Sequence, residues 1–258
     1  MHWHIPRSHP RYESLMLRER LVEAFENGIV VPQGLIAHGR GEAFDYILGE
    51  KSHDFALEAE KVTVAYLLLS GKPIISVNGN YAALAAEEIA RLSIETGAPI
   101  EVNLFYRSEE RVAKIEKLLL DHGAPIVLGV ECEKTLIPGL ESPRGIVCKE
   151  GIYTADFVLV AIEDGDRTQA LKKAGKKVAA IDLNPFSRTA QSADITIVDE
   201  ALRATRNMVN TAKELKGNNE TLKQLILKYD NKAILSKAFK TIMERLGEAA
   251  AKGVIIEI

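Results

Sequence analysis

Residues that could bind or process a ligand are concentrated in short segments that directly follow aliphatic runs. These segments combine arginine, carboxylate, amide and glycine residues, and they are 78–80, 106–108, 163–168, 182–189 and 199–200. At the carboxyl edge of a parallel sheet, helices begin with free backbone NH groups and the positive end of their dipoles. Such an edge favours an anionic ligand, and each helix terminus stabilises it by about 0.3–1 kcal/mol at an exposed site.

Charged side chains in and near these segments indicate what the anion could be. Several arginines could bind a polyphosphate together: Arg18, Arg40, Arg107, Arg167 and Arg188. The carboxylates of Asp164, Asp166 and Asp182 would repel it unless they held a divalent cation or accepted hydrogen bonds from sugar hydroxyl groups. Mg2+ typically binds one or two carboxylates together with phosphate oxygens, so the combination favours a magnesium-bound nucleotide. The alternative is that the carboxylates cap helices and pair locally with the arginines.

The N-terminal third contains two further candidates. A helix is predicted over about 10–27, and at 100° per residue Arg18 falls inside its apolar stripe. Either the stem of Arg18 covers apolar surface while its guanidinium reaches water, or the guanidinium belongs to an anion site. The segment 34–42 is too rich in glycine for a regular helix or strand. Within it, His38 is either a phosphate donor or a structural imidazole. Arg40 is a candidate ligand of a polyphosphate.

Short signatures of common enzyme classes are missing from the sequence. There is no Gly-x-x-x-x-Gly-Lys-Ser/Thr phosphate loop and no Gly-x-Ser-x-Gly elbow, and residues 77–82 have one glycine where a dinucleotide fingerprint needs three. These absences argue against an NAD-dependent dehydrogenase. Cys132 and Cys148 are too few for a disulfide framework and too far apart for a metal knuckle, so we expect two inert thiols.

The elements that must position these residues alternate along the chain. Aliphatic runs typical of buried strands lie at 74–77, 100–105, 126–130, 157–162, 178–181 and 195–198. Helical patterns at 81–95, 108–122 and 200–216 lie between or after them, which predicts an α/β fold with a Rossmann-like parallel sheet covered by helices on both faces. A helix over about 53–69 precedes the first run. Two amphipathic helices follow Gly217 and either cover the sheet or pair with another subunit.

Three parts of one compact unit follow from this pattern. We predict an N-terminal helical arm with a glycine-rich loop over 1–71, a Rossmann-like core over 72–217 and C-terminal helices over 218–258. With 258 residues, 47% hydrophobic and 27% charged, the chain has enough apolar material for a core. A net charge of −3 provides no general attraction for nucleic acid or membrane headgroups. Without a secretory signal or a membrane span, a cytoplasmic protein is expected.

Seven segments, in the same order along the chain, resemble the archaeal 4-phosphopantoate--beta-alanine ligases, also called phosphopantothenate synthetases. The longest read I-P-x-S-H-P-R-Y at 5–12 and G-L-I-A-H-G-R-G-E-A-F-D-Y at 34–46. The others are 76–80, 103–107, 163–168, 180–185 and 193–199. The resemblance covers nearly the whole chain, although the helices after Gly217 match only in character.

This resemblance implies a step of coenzyme A synthesis. ATP, 4-phosphopantoate and beta-alanine would give 4'-phosphopantothenate, AMP and pyrophosphate through an acyl adenylate, catalysed by a homodimer. The nucleotide contacts that it implies are Arg18, Arg40, Asp182, Leu183, Asn184, Arg188, Thr189, Glu200 and Ala201.

Roles within such a reaction can be assigned as hypotheses. Arg40 and Arg188 would stabilise charge on the phosphoryl oxygens, and Asp164 or Asp166 would hold Mg2+. The phosphate or carboxylate of the substrate would bind residues at two strand ends, namely Asn78, Gly79, Asn80 and Arg107. Two other functions stay open at this point, a nucleotide-sensing regulatory protein without turnover and a phosphosugar-processing enzyme, because a fold alone does not fix a reaction.

Overall fold

A computed structural model describes residues 5–253. Its helices are α1 Tyr12–Glu26, α2 Pro32–Leu48, α3 Asp54–Leu69, α4 Gly79–Thr96, α5 Glu109–Asp121, α6 Gly165–Lys173, α7 Arg188–Ser192, α8 Ala201–Leu215, α9 Asn219–Lys228 and α10 Asn231–Lys252. Its strands are β1 Pro73–Val77, β2 Ile100–Val102, β3 Val127–Leu128, β4 Lys134–Leu136, β5 Ile146–Cys148, β6 Phe157–Ala161, β7 Lys177–Ile181 and β8 Ile195–Ile197. None of the helices within residues 5–253 has the length and apolar character needed to cross a membrane.

Six strands form one parallel sheet in the order β3-β2-β1-β6-β7-β8. Ile75 in the centre of β1 pairs with Ile100 on one side and with Leu159 on the other. This order is that of a doubly wound Rossmann fold, whose strand order reverses between β1 and β6. Ligands of such folds bind beyond the carboxyl ends of the strands at that reversal. The structure therefore confirms the predicted α/β class and fixes where a site should lie.

Side chains that alternate along the strands enter two separate cores. Ile75 and Leu159 face α3, α4, α5 and α8, whereas Val158 and Val178 face α6 and the β4–β5 hairpin. The period of two in the strand explains the alternation, and burial on both faces explains why the strands read as continuous aliphatic runs. A third cluster joins α10 to α2 and α3 through residues such as Ile234 and Leu48. One face of the C-terminal helices thus covers the body of the protein.

The prediction that 34–42 forms no regular structure is wrong, since this segment lies inside α2. Pro32 begins the helix. Proline suits this position because an NH in the first turn would have no partner within the helix. Glycine inside a helix costs up to about 1 kcal/mol relative to alanine, but packing of Phe44, Ile47 and Leu48 into the third cluster offsets it. At Gly34 an added Cβ would lie 2.1 Å from Asn80 Oδ1, so the glycine serves close packing.

The expectation of two inert thiols is also wrong. Cys132 and Cys148 form a disulfide with their Cα atoms 5.6 Å apart. The antiparallel pairing of β4 with β5 sets Lys134 opposite Cys148, which brings Cys132 to the same end of the hairpin. We call residues 134–153 the flap. Glu101 on β2 anchors it by accepting hydrogen bonds from the backbone NH of Cys148 and Ile152 at 2.9 and 2.6 Å.

The predicted division of the chain remains a prediction. Residue 72 lies between α3 and β1, and residue 217 lies between α8 and α9. Residues 1–4 of the predicted arm and 254–258 of the predicted C-terminal segment lie outside the described residues.

Candidate functional site

Three cavities meet at the carboxyl edge of the sheet, at the reversal of strand order. The large cavity has a volume of about 740 Å3, the outer cavity about 610 Å3 and the arginine cavity about 220 Å3. Asp164, at the end of β6, lines all three, and Ala37 with Ile162 lines both the large and the arginine cavity. The volume of the large cavity suits a small-molecule ligand, and that of the arginine cavity suits a smaller chemical group. Two ligand parts bound in these cavities would therefore meet beside Asp164.

The arginine cavity contains the first turn of α4 and two guanidinium groups. Asn78 Oδ1 caps α4 by accepting from Tyr81 N at 3.0 Å, and its Nδ2 donates to Ala161 O at 2.7 Å. Asn80 Nδ2 donates to Gly34 O at 2.7 Å. These amides hold the turn in place, which leaves its backbone NH groups and the helix dipole to attract an anion. Arg111 and Arg144 complete the lining.

Arg111 and Arg144 are the residues that sequence analysis missed. Arg111 lies in the first turn of α5 and donates from Nε to Ile29 O at 2.8 Å. Arg107, the predicted substrate residue, does not line the arginine cavity. It donates to Gly129 O at 3.3 Å, beside β3. Arg107 and Arg111 lie close together in the sequence, on either side of the start of α5, and the role of Arg107 in substrate binding stays a prediction.

Arg144 shares Glu163 with a second arginine. Its Nη1 donates to Glu163 at 2.6 Å, and Arg167 Nη1 donates to the same carboxylate oxygen. Arg167 is fully buried and its Nη2 donates to Ser76 Oγ at 3.0 Å. Arg167 therefore supports the sheet and is not available to a polyphosphate, contrary to its selection as a candidate. Arg144 Nε is buried without a hydrogen-bond partner among the described residues, and Asp164 lies 3.4 Å from it.

The large cavity brings together eight of the nine residues that the resemblance assigns to the nucleotide. They are Arg40, Asp182, Leu183, Asn184, Arg188, Thr189, Glu200 and Ala201. The ninth, Arg18, is not among the lining residues; it is 43% exposed and bonds to Glu42 at 2.7 Å. Burial of Glu42 opposes ionisation, but hydrogen bonds from Arg18, Ser14 and Arg11 lower the pKa of its carboxyl.

Two buried carboxylates of the large cavity shape its loops. Asp182 Oδ1 accepts from Asn184 N at 2.9 Å and its other oxygen accepts from the Ser187 hydroxyl. Glu200 caps α8 by accepting from Leu202 N and Arg203 N at 3.0 and 2.9 Å. Burial raises the pKa of both carboxyl groups. Because their oxygens are engaged within the chain, neighbouring backbone groups are the ones left to contact a ligand.

The two arginines that were assigned to catalysis are both exposed. Arg40 makes no side-chain hydrogen bond or ion pair with any residue of the described range. Arg188 pairs with Asp166 at 2.6 Å, with 65% and 70% of the two side chains exposed. An exposed pair contributes at most about 1 kcal/mol, so a polyphosphate could displace Asp166 from Arg188 at little cost.

Of the two carboxylates that were predicted to hold magnesium, Asp164 fits the role better than Asp166. Among the described residues, no group of three or more His, Cys, Asp or Glu side chains is arranged to hold a metal ion. Asp164 fits a site completed by phosphate oxygens, because 55% of its side chain is exposed where the cavities meet. Asp166 fits less well, because it lines only the outer cavity and already pairs with Arg188.

Behind the first turn of α8 lies a buried polar network. Asp199 accepts from Arg203 Nε at 2.7 Å and from the Ser52 hydroxyl. Asn207 Nδ2 donates to Ser52 Oγ at 2.9 Å and approaches Glu60. Burial, together with the charge of Asp199, raises the pKa of Glu60 to about 9. At neutral pH Glu60 is therefore protonated and adds no second charge beside Asp199.

The chain is similar to known proteins along most of its length. The family model described as phosphopantothenate/pantothenate synthetase matches residues 55–245. A protein named 4-phosphopantoate--beta-alanine ligase from Thermococcus kodakarensis is 49% identical over 252 residues, 97% of this chain and 96% of the relative. Proteins of the same name from Methanosarcina mazei and Methanospirillum hungatei are 51% and 48% identical, over 96% and 94% of this chain and 98% of each relative.

Proposed function

Because this chain belongs to the phosphopantothenate/pantothenate synthetase family, we propose that it is an ATP-dependent ligase that joins 4-phosphopantoate to beta-alanine and forms 4'-phosphopantothenate. One observation carries the proposal at the level of the site: two cavities of different size, each lined by arginine side chains, share a wall at Asp164. A reaction between a nucleotide and a phosphorylated carboxylic acid needs this arrangement, since each partner requires its own anion site and their reacting groups must meet.

The large cavity would hold ATP. Its support comes from the first turn of α8, which Glu200 caps, and from the loop that Asp182 fixes. The guanidinium of Arg40, which pairs with no residue between 5 and 253, adds to it. The substrate carboxylate would attack the α-phosphorus, giving an acyl adenylate and releasing pyrophosphate. Charge spreads over phosphoryl oxygens in this step, so positioning and fixed positive charge account for the catalysis without a protein nucleophile. Arg40 and Arg188, which line this cavity, would provide that charge.

The arginine cavity would hold the phosphate of 4-phosphopantoate. The α4 terminus at Asn78, Gly79 and Asn80 contributes backbone NH groups, and Arg111 and Arg144 contribute the guanidinium groups instead of Arg107. Arg144 Nε supports this because a buried donor without a partner is costly unless a ligand accepts from it.

Magnesium would bind through Asp164 together with phosphate oxygens. The ion would reduce the negative charge of the polyphosphate when bound. Asp164 suits this role because burial raises the pKa of its carboxyl while Arg144 opposes the rise, which leaves a carboxylate that an added cation stabilises further.

The remaining expectations concern the assembly and its place in the cell. We propose a homodimer acting in the cytoplasm, in coenzyme A synthesis. Exposed apolar side chains on the C-terminal helices, Leu227, Met243 and Leu246, support contact with a second copy. Light scattering during size-exclusion chromatography measures the mass directly, and a monomer at working concentration contradicts the dimer.

The deciding experiment measures AMP formation from ATP. Production that requires both 4-phosphopantoate and beta-alanine supports the ligase. ATP binding without AMP formation would indicate a nucleotide sensor, and consumption of a phosphosugar would indicate the other enzyme class. Titrating ATP into Arg18→Ala by calorimetry tests the remaining nucleotide residue, because unchanged affinity returns Arg18 to a surface role.

A further inference from the structure

The second half of the proposed reaction requires a base, which the two anion sites do not provide. Beta-alanine attacks as the free amine, having left one proton in solvent. Its nitrogen then forms a bond to the acyl carbon and becomes cationic, and it must lose a second proton before the amide is stable. The bond between the acyl carbon and the AMP oxygen breaks, and its electron pair leaves with AMP. A base close to the acyl carbon would accept the second proton.

Most titratable groups at the large cavity cannot accept it. Four carboxylates there are engaged by donors within the chain: Glu163, Asp182, Asp199 and Glu200. Asp164 lies beside Arg144 and is the carboxylate that fits a magnesium ion. His38 is different. Its Nε2 is buried and has no hydrogen-bond partner among the described residues, and His38 is one of the residues that line the cavity.

The position of His38 follows from the glycines of α2. Gly34 and Gly41 lie within about 60° of His38 around the helix, at 100° per residue. Gly34 contacts Asn80 beyond β1, and Gly41 approaches Leu183 beyond β7, where an added Cβ would lie 3.8 Å from Leu183 Cδ1. Since β6 lies between β1 and β7 in the sheet, His38 lies over the strand end where the two main cavities adjoin.

Burial is the main reason that the imidazole of His38 favours its neutral form, because it lowers the pKa of the ring. Burial lowers the pKa of His38, Arg18 from α1 lowers it further, and Glu42 one turn along α2 opposes them. The other titratable and charged groups that face the cavity are Arg40, Glu163, Asp164, Asp182, Arg188, Asp199 and Glu200. A neutral imidazole is a base that can take up a proton near neutral pH.

We propose that His38 is the catalytic base of the second half-reaction, accepting the proton that the beta-alanine nitrogen loses as the carbon–nitrogen bond forms. The imidazolium then returns this proton to solvent after AMP and the product leave. The inference rests on the proposed function, and it assigns a chemical role to the residue between Gly34 and Gly41 that the anion sites leave without one.

His38→Gln tests the proposal, because glutamine retains hydrogen bonding but cannot accept the proton. Exchange of labelled pyrophosphate into ATP in the presence of 4-phosphopantoate reports the first half-reaction and should stay within about twofold of wild type. Single-turnover transfer of the acyl group to beta-alanine should fall about 100- to 10,000-fold, the usual contribution of general base catalysis. His122→Gln, on the exposed end of α5, is the matched control and should change neither rate.

The pH dependence provides a readout that a structural role would not change. Protonation of the amine affects both proteins equally, so the ratio of wild-type to His38→Gln transfer rates isolates the imidazole. That ratio should shrink as pH falls through the His38 pKa, since a protonated ring accepts nothing. If His38→Gln does not fold, His38→Asn replaces it, with circular dichroism as the check.

Each result decides a distinct point. Near-normal transfer by a folded variant, or equal losses in exchange and transfer, overturns the role of His38 as this base. A ratio that stays constant with pH also overturns it. Wild-type protein without substrate-dependent exchange overturns the acyl-adenylate function itself, and the inference with it.

Discussion

Asn80 Nδ2 donates a hydrogen bond to the backbone oxygen of Gly34 over 2.7 Å, which joins helix α2 to the first turn of α4. The two helices come this close because position 34 has no side chain: an added Cβ would lie 2.1 Å from Asn80 Oδ1 and 3.1 Å from Val30 Cγ1. The same contact sets one wall of the arginine cavity and brings His38 over the strand ends. One glycine thus connects the packing of the N-terminal helices to the candidate site.

Gly34→Ala should destabilise the protein by about 1–3 kcal/mol, because overpacking at a buried contact forces neighbours to shift. It should also weaken 4-phosphopantoate binding, since Asn80 belongs to the α4 turn. Gly39→Ala is the control on the same helix, with no atom within 4 Å of an added Cβ, and should stabilise by about 0.5–1 kcal/mol. Urea unfolding measures both. If both substitutions changed the free energy of unfolding in the same direction, the close contact between Gly34 and Asn80 would not explain the effect of Gly34→Ala.

The arginine cavity makes a prediction about the phosphate group. Arg144→Gln should raise the dissociation constant of 4-phosphopantoate by about 10- to 150-fold, since a hydrogen bond to a charged group contributes about 1.5–3 kcal/mol. Binding of unphosphorylated pantoate should change little, and so should ATP affinity. Arg107→Gln, outside the cavity, should leave all three affinities within about twofold. Calorimetric titration checks this, and an equal loss for pantoate would place Arg144 elsewhere on the substrate.

The exposed arginines of the large cavity should affect rate without affecting stability. Arg40→Ala and Arg188→Ala are each expected to reduce turnover by about 100- to 1,000-fold, the usual loss for one transition-state donor. Melting temperatures should hardly change, because Arg188 has only an exposed partner and Arg40 has none among the described residues. Arg91→Ala, in an exposed pair with Glu87 on α4, is the control. Near-normal turnover by both cavity variants would remove the phosphate-clamp assignment.

Sequence patterns predicted the sheet and the large cavity well for a physical reason. Strands buried on both faces must be aliphatic throughout, and the order of segments then fixes which loops share an edge. The loop 182–189 lies beside Glu200 because β7 and β8 are neighbours. Contacts of this kind can be predicted without knowing in which direction the side chains point.

Arg144, helix α2 and the disulfide could not be predicted in the same way. Arg144 lies in the flap, which has no hydrophobic periodicity, and only its pairing with Glu163 places it in the site. The glycines of α2 disfavour a helix locally, and tertiary packing overrides them. Cys132 and Cys148 meet only because a short hairpin folds back, which their spacing does not reveal.

Buried Glu60 predicts how stability depends on pH. Its pKa is raised to about 9 in the folded protein, above the value of about 4.3 for an unfolded chain. The unfolded state therefore releases this proton first, so the contribution of Glu60 to stability is fully present below about pH 4 and is lost as pH rises toward 9. Glu60→Gln should gain at least about 1.4 kcal/mol in free energy of unfolding, relative to wild type, between pH 5 and pH 9. Glu58→Gln, at a half-exposed position of the same helix, is the control, and its difference from wild type in free energy of unfolding should stay constant between pH 5 and pH 9. A constant difference for Glu60→Gln would show that Glu60 is ionised in the folded protein and would contradict the prediction.

The disulfide predicts a link between oxidation state and substrate affinity. The disulfide joins the two sides of the hairpin whose far end carries Arg144, and its cysteines are separated by 16 positions in the sequence. Closing a loop of about that size contributes about 3 kcal/mol to stability. Reduction should lower the melting temperature and raise KM for 4-phosphopantoate more than KM for ATP, because it loosens the flap and leaves the large cavity intact. The Cys132→Ser/Cys148→Ser protein should show the same two changes without reductant and no response to it. Thiol titration before and after reduction verifies the oxidation state. Identical KM values for both forms would mean that Glu101, Asn103 and Glu163 hold Arg144 in place without the disulfide.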